Sequence, residues 1–395
     1  MDIRQADREY IIGTYRRQEP VLVRGRGARC WDQEGKEYLD FGAGIGVNSL
    51  GFCDPEWADA VAAQARTLQH ASNLYYTLPG VELAKTLCLR TGYRKALFCN
   101  SGAEANECAI KLARKYSFDK YGPDSGRNKI LCLGNSFHGR TVTTLSATGQ
   151  DVFHNYYFPF TEGFAFAPAN DLDAALALLE QGGFCGVLVE LIQGEGGVNP
   201  LEPHYVSALS GYCREHDLLL LADEVQTGIG RTGQLLASRW FQDALGAPLL
   251  PDITTLAKGL GGGLPIGAVL TNERTCNVMG PSDHGTTFGG NPVACAGALT
   301  VMSRLSDAFL EEVRRKGEIL RHALGNIPEI AGISGLGLML GLSLRTQKAP
   351  EVVKECIRLG LLPLTAKEKV RLLPPLSITD EELSRGADIL RQALT

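Results

Sequence analysis

Between about residues 95 and 270 the chain alternates short apolar runs with stretches whose apolar residues recur at helical spacing. That alternation predicts an α/β unit, a mostly parallel sheet covered by crossover helices. Candidate strands are 96–99, 129–133, 186–191, 218–222, 253–256 and 266–270. Their leucine-rich or β-branched, non-alternating character suits strands covered on both faces. Ligands of such sheets bind at the carboxyl ends of strands. The flanks read differently. Residues 20–32 and 34–41 predict a hairpin turning near 32–35. Beyond about 290 come a long helix, strand-like pieces at 337–344 and 370–373, and an amphipathic helix from Asp380. The predicted organisation is a small α+β domain from residues 1–50 and 291–395 beside a large domain of residues 51–290.

A chain of 395 residues exceeds what one core usually organises, which agrees with two domains. Net charge is −5, with no basic stripe for a nucleic-acid backbone and no polybasic cluster for a membrane surface. The 11 cysteines are scattered, and no two stand three apart. That excludes a CxxC redox motif and makes reduced, buried thiols the expectation. The first residues lack an apolar run, and no stretch is long enough to span a bilayer, so a cytoplasmic protein is expected.

Candidate chemistry gathers around Lys258, which follows the run Ile253-Thr254-Thr255-Leu256 and precedes Gly259, Gly261, Gly262 and Gly263. A buried run ending on Asp223 lies 35 positions earlier. An amine and a carboxylate at strand ends suit an aldehyde cofactor with a basic ring nitrogen. A metal-binding aspartate is the alternative for Asp223, but the glycines after Lys258 lead to Leu264-Pro265 rather than a phosphate-loop lysine. Ser101 with Glu104 matches a capping box, and Gly102 beside it would leave N–H groups free for a phosphate. An ordinary capped helix is the commoner use of such a box. Phe137 is placed to cover an aromatic ring and Arg140 to hold a carboxylate, while His138 reads as structural. Glu195 stands in the glycine-rich Gln193-Gly194-Glu195-Gly196-Gly197, where a surface turn is the plain alternative. Arg371 is one charge among apolar neighbours and needs either a structural acid or a substrate carboxylate.

These pieces carry a resemblance. Asn100-Ser101-Gly102-Ala103-Glu104-Ala105-Asn106-Glu107, Phe137-His138-Gly139-Arg140-Thr141, the Gln193–Gly197 turn and Ala222-Asp223-Glu224-Val225-Gln226-Thr227-Gly228 come first. Ala257-Lys258-Gly259-Leu260, Gly285-Thr286-Thr287-Phe288-Gly289-Gly290-Asn291-Pro292 and Arg371-Leu372-Leu373-Pro374-Pro375 follow in order. Over essentially its whole length the chain resembles the class III (subgroup II) pyridoxal-phosphate aminotransferases. The resemblance implies fold-type I and a homodimer with shared active sites. It implies that Lys258 forms an imine with pyridoxal 5'-phosphate, and that Ser101, Gly102 and Ala103 hold the phosphate. Thr287 would reach that phosphate from the neighbouring subunit. Phe137 and Val225 would cover the ring faces, Asp223 would pair the ring nitrogen, and Gln226 would bond the ring hydroxyl. Arg140 would take the substrate α-carboxylate with Thr286 nearby. Glu195 and Arg371 would pair while an ω-amine is bound and part for 2-oxoglutarate.

The resemblance implies transfer of a terminal amino group to 2-oxoglutarate, with N-acetylated ornithine as the favoured donor. Succinylornithine, succinyl-diaminopimelate, ornithine and 4-aminobutyrate are the alternatives, followed by an aminomutase. A regulatory protein on the same fold would need a DNA-binding segment, for which the chain has neither spare length nor basic charge. The chain departs from the family at Gly51-Phe52-Cys53-Asp54-Pro55, where histidines often flank the cysteine. No metal site is expected.

Overall fold

A computed structural model describes residues 2–395, so only Met1 of the 1–50 segment lies outside the described residues. Its centre is a seven-stranded sheet. The spatial order is Lys95–Cys99, Gly267–Thr271, Ile253–Leu256, Leu219–Asp223, Phe184–Val189, Lys129–Leu133 and Phe164–Ala167. The last five strands pair in parallel. Gly267–Thr271 runs antiparallel to both of its neighbours. Two reversals restore direction, so Lys95–Cys99 is again parallel to the main set. The carboxyl ends of six strands therefore open on one edge, and residues 100–103, 135–140, 190–195, 223–226 and 257–258 follow those ends.

Core composition explains the layering. Helix Gly102–Tyr121 buries Ala105, Ala109, Leu112 and Ala113 against Ile130, Leu188 and Leu221 on one sheet face. Its small residues let the helix lie close to the strands. Helices Leu172–Leu179 and Pro203–Glu215 cover the other face through Leu179, Tyr205 and Leu209 against Leu131, Val187 and Leu220. Each fully buried leucine contributes roughly 1.5–3 kcal/mol over an exposed one.

The predicted strands hold with small shifts: 186–191 becomes Phe184–Val189, and 266–270 becomes Gly267–Thr271. The predicted hairpin is corrected to a three-stranded meander. Leu22–Arg26 turns at Gly27 (φ +58°) into Arg29–Asp32, which turns again into Glu37–Asp40. Asp32 fixes the second turn by accepting from the N–H groups of Glu34 and Lys36. The long helix after 290 is two helices, Pro292–Arg304 and Asp307–Gly325, bent by 76° and restarted by Ser306 capping Phe309. Strand Ile330–Leu336 joins Met339–Leu344 as a hairpin in a second four-stranded sheet.

The two chain ends meet. Leu361 and Leu362 pair in parallel with Leu39 and Asp40, and Arg29 Nε lies 2.8 Å from Glu382 Oε1 on the terminal helix Asp380–Ala393. Thr379 and Glu382 form a full capping box at that helix. At the departing motif, Phe52 packs over Gly25, and Asp54 caps helix Pro55–Thr67 and pairs with Arg304 at 3.3 Å. Trp57 in the same helix donates to Gly261 O, so this segment braces the turn that follows Lys258. No single described helix is long and apolar enough to cross a membrane.

Candidate active site

The strand ends surround a cavity of about 460 Å³. Ten residues singled out from the sequence line it: Ser101, Gly102, Ala103, Phe137 and Arg140, then Glu195, Asp223, Val225, Gln226 and Lys258. Arg371 stands just behind, reaching Glu195 and Gln226. Thr286 and Thr287 do not line the cavity of their own chain. The Thr286 hydroxyl accepts from Asn100 Nδ2 at 2.8 Å.

Ser101 caps helix Gly102–Tyr121 by accepting from Glu104 N. The reciprocal half of the predicted capping box is corrected. The Glu104 carboxylate turns to the Asn100 N–H and side-chain amide at 2.7 and 2.8 Å. The N–H groups of Gly102 and Ala103 find no acceptor among the described residues and face the cavity with the positive end of the helix. A Cβ on Gly102 would lie 2.7 Å from Val225 Cγ1, so glycine lets Val225 press against the start of the helix.

Asp223 ends its strand and is 3% exposed. Its Oδ1 accepts from Val225 N. Its Oδ2 accepts from Asn106 Nδ2 at 2.7 Å and lies 2.8 Å from His138 Nδ1. His138 is thus structural, as expected, yet what it supports is the carboxylate of the site. Asn106 was quoted in a motif without a role, and its position one turn into the helix is the signal. That spacing turns its amide toward Asp223, with Thr255 Oγ1 donating to its oxygen.

Glu190 went unremarked in the sequence because an apolar run surrounds it. It is buried on the cavity wall and accepts from Phe137 N at 2.8 Å and Gly194 N at 3.1 Å. Burial pushes its pKa up to about 7, moderated by His138.

Lys258 opens the turn after Ile253–Leu256 with φ +43°, a strained value for a residue with a Cβ. It is half-buried on the cavity wall. Removal of solvent around the amine pushes its pKa below the usual lysine value, with Arg371 adding to the shift and Glu195 opposing it. Opposite stands the Glu195–Arg371 pair, Nη1 to Oε1 at 2.6 Å. Loss of solvent would raise the Glu195 carboxyl, but Arg371 outweighs it and the net shift is downward. Gln226 bridges the pair, its amide nitrogen 3.3 Å from Glu195 and its oxygen accepting from Arg371 at 3.1 Å. Arg140 forms neither hydrogen bond nor ion pair with a described residue, and its guanidinium lies over the rings of Phe153 and Phe137.

The cavity therefore offers an anion cradle at a helix end, a buried carboxylate, two apolar faces (Phe137 and Val225), a desolvated amine and two arginines. Among the described residues no cluster of metal-ligating side chains is present. The family model "Aminotransferase class-III" matches residues 14–394. The acetylornithine aminotransferase of Haemophilus ducreyi is 51% identical, over 100% of this chain and 98% of that protein. The succinylornithine transaminase of Salmonella enteritidis is 42% identical, over 96% of this chain and 93% of that protein. An ornithine aminotransferase of Toxoplasma gondii, whose structure holds PLP at partial occupancy in its active site, superposes with a TM-score of 0.90 at 34% identity, covering 99% of this chain and 93% of that one. With fold, cavity and full-length likeness in agreement, the chain belongs to the class-III aminotransferases.

Proposed function

We propose that the protein is an acetylornithine aminotransferase, moving the terminal amino group of N2-acetyl-L-ornithine to 2-oxoglutarate. The products are N-acetyl-L-glutamate 5-semialdehyde and L-glutamate, a step of arginine biosynthesis. The observation that carries the reading is the Glu195–Arg371 ion pair at the edge of the cavity that holds Lys258. A closed pair presents a neutral wall to an acylated ω-amine. The same arginine, once released, offers a fork for the second carboxylate of a dicarboxylate.

The residues present fit pyridoxal 5'-phosphate. The free N–H groups at Gly102 and Ala103, with Ser101, would hold its phosphate, and Phe137 and Val225 would enclose its ring. Asp223 would meet the ring nitrogen and Gln226 the ring hydroxyl. When bound, the cofactor supplies an aldehyde that accepts and returns an amino group and a ring that takes up electrons from the substrate carbon. Lys258 Nζ takes the proton from the amine-bearing carbon, a task that needs the neutral amine favoured by its surroundings. Asn106 and His138 hold Asp223 in place while charge develops on the ring. Arg140 receives the α-carboxylate of the ω-amine substrate.

A homodimer belongs to the same reading. Leu74, Tyr75, Tyr76 and Leu78 are largely exposed, with Phe288 nearby in the motif that carries Thr286 and Thr287. An apolar strip of this kind calls for a partner surface. A second copy would bring Thr287 to the phosphate of the first site. The reading also includes a small domain built from both chain ends, supported by the pairing of Leu361 with Leu39, and a cytoplasmic enzyme.

The test is glutamate formation from 2-oxoglutarate with N2-acetyl-L-ornithine, N2-succinyl-L-ornithine, ornithine and 4-aminobutyrate, compared as kcat/KM. A succinyl preference would move the assignment to the donor of the Salmonella relative. Turnover without 2-oxoglutarate would instead indicate an aminomutase, and no glutamate from any donor would sink the proposal.

A further inference from the structure

Arg140 is held by aromatic faces rather than by acids. Its guanidinium carbon lies 4.2 Å from the ring centroid of Phe153 and 5.4 Å from that of Phe137. The two rings meet edge to face, with centroids 6.0 Å apart and planes at 71°. Among the described residues Arg140 donates no hydrogen bond, although it lines the cavity. Stacking uses the face of a guanidinium and leaves its N–H edge free, whereas an acidic partner would occupy that edge.

Phe153 itself is firmly placed. It ends the single turn Asp151–Phe153, and its N–H donates to Gln150 O. The buried Gln150 side chain donates to Ser136 O at 3.0 Å, tying the turn to the loop that carries Phe137. On the other side His154 Nε2 lies 2.9 Å from Leu145 O. Neighbouring Val152, Tyr156 and Phe158 are exposed, so Phe153 is the one apolar side chain of 152–158 that turns toward the site.

We propose that Phe153 is a positioning residue for substrate carboxylates, a shelf that orients the Arg140 guanidinium so that its in-plane N–H edge faces the cavity. This rests on the reading of Arg140 given above. The residue lies outside the seven motifs that mark the family, and acts only through Arg140.

The prediction concerns KM rather than kcat. Cation–π stacking of this kind is worth roughly a three- to tenfold change in affinity. Phe153→Leu keeps an apolar filler but removes the ring face. It should raise KM about three- to tenfold for N2-acetyl-L-ornithine and for 2-oxoglutarate, with kcat near wild type. Phe153→Tyr keeps the face and should restore both values. N-acetylputrescine, which has the ω-amine and the acetamide but no α-carboxylate, should react equally well with either enzyme. Binding of 5-acetamidopentanoate, a carboxylate without an amine, is read separately from the absorbance of the bound cofactor and should weaken by the same factor. An equal loss for N-acetylputrescine, or a fall in kcat with unchanged KM, would overturn the proposal. Absent turnover of acetylornithine in the wild type, with carboxylate binding still weakened in Phe153→Leu, would reject the donor assignment and leave the shelf intact.

Discussion

Glu195 and Arg371 meet two bonds at a time, Oε1 to Nη1 at 2.6 Å and Oε2 to Nη2 at 3.2 Å. Such a fork holds its partners in one plane. Arg371 is 3% exposed and its Nε has no partner, so the arginine depends on Glu195 or on something that replaces it. A dicarboxylate can replace it, because its second carboxylate makes the same fork. Arg371→Lys keeps the charge but loses the planar pair of donors. It should raise KM for 2-oxoglutarate by about tenfold or more, the equivalent of ~1.4 kcal/mol, and change KM for acetylornithine much less. Initial-rate kinetics with each substrate varied would decide, and an equal rise in both constants would count against a switch.

Lys258 is the one amine on the cavity wall among the described residues. Lys258→Ala should reduce turnover by more than about a thousandfold, since a positioned acid–base group contributes that much. The fold should survive, because desolvation opposes the charged amine and its removal relieves that cost. A thermal melt at or above the wild-type temperature, with no turnover, is the expected pair of results. Substantial activity in this variant would remove Lys258 from the chemistry.

Strong, local patterns were legible in the sequence. Lys129–Leu133 and Ile253–Leu256 form where predicted, because continuous apolar runs bounded by polar residues have one stable use in a covered sheet. Strand Phe164–Ala167 was missed, since four residues between turn-forming neighbours carry no period. The first turn of the N-terminal meander went unseen because Gly27, between Arg26 and Ala28, carries no turn signature. Ser101 was visible as a cap, but the Glu104 contact depends on Asn100 lying alongside, which only the folded turn decides. Glu190 and Phe153 act through neighbours that are distant in the chain: Glu190 reaches Phe137 across 53 positions. No local pattern encodes such a contact.

Gly102 and Val225 share one narrow space. Overpacking at such a contact costs about 1–3 kcal/mol. Gly102→Ala should therefore push Val225 away from the ring position or tilt the start of the helix, and either displacement weakens cofactor retention. A rise of roughly tenfold in the cofactor dissociation constant is expected. Adding Val225→Ala should recover part of it by reopening the space. Cofactor titration of the two variants checks this, and wild-type affinity in Gly102→Ala would show that the packing is slack.

Asp40 offers a pH prediction away from the chemistry. Its Oδ1 accepts from the N–H groups of Gly42 and Ala43 at 2.9 and 2.7 Å, fixing the loop that leads to Val47 on the cavity wall. Its Oδ2 is buried with no partner. Burial pushes the carboxyl up to about 6 from 3.8, with the two N–H groups and Arg231 opposing. The folded state thus binds a proton more tightly than the unfolded chain. The stabilisation this gives is complete below about pH 4 and is lost as pH rises through about 6. Asp40→Asn keeps the Oδ1 acceptor and cannot ionise. Relative to wild type, the variant should gain up to about 3 kcal/mol between pH 4 and pH 7 and then hold that margin. Denaturant melts at pH 4, 5, 6 and 7 measure the difference, and a margin that does not grow across this window would mean that Asp40 titrates as it does in water.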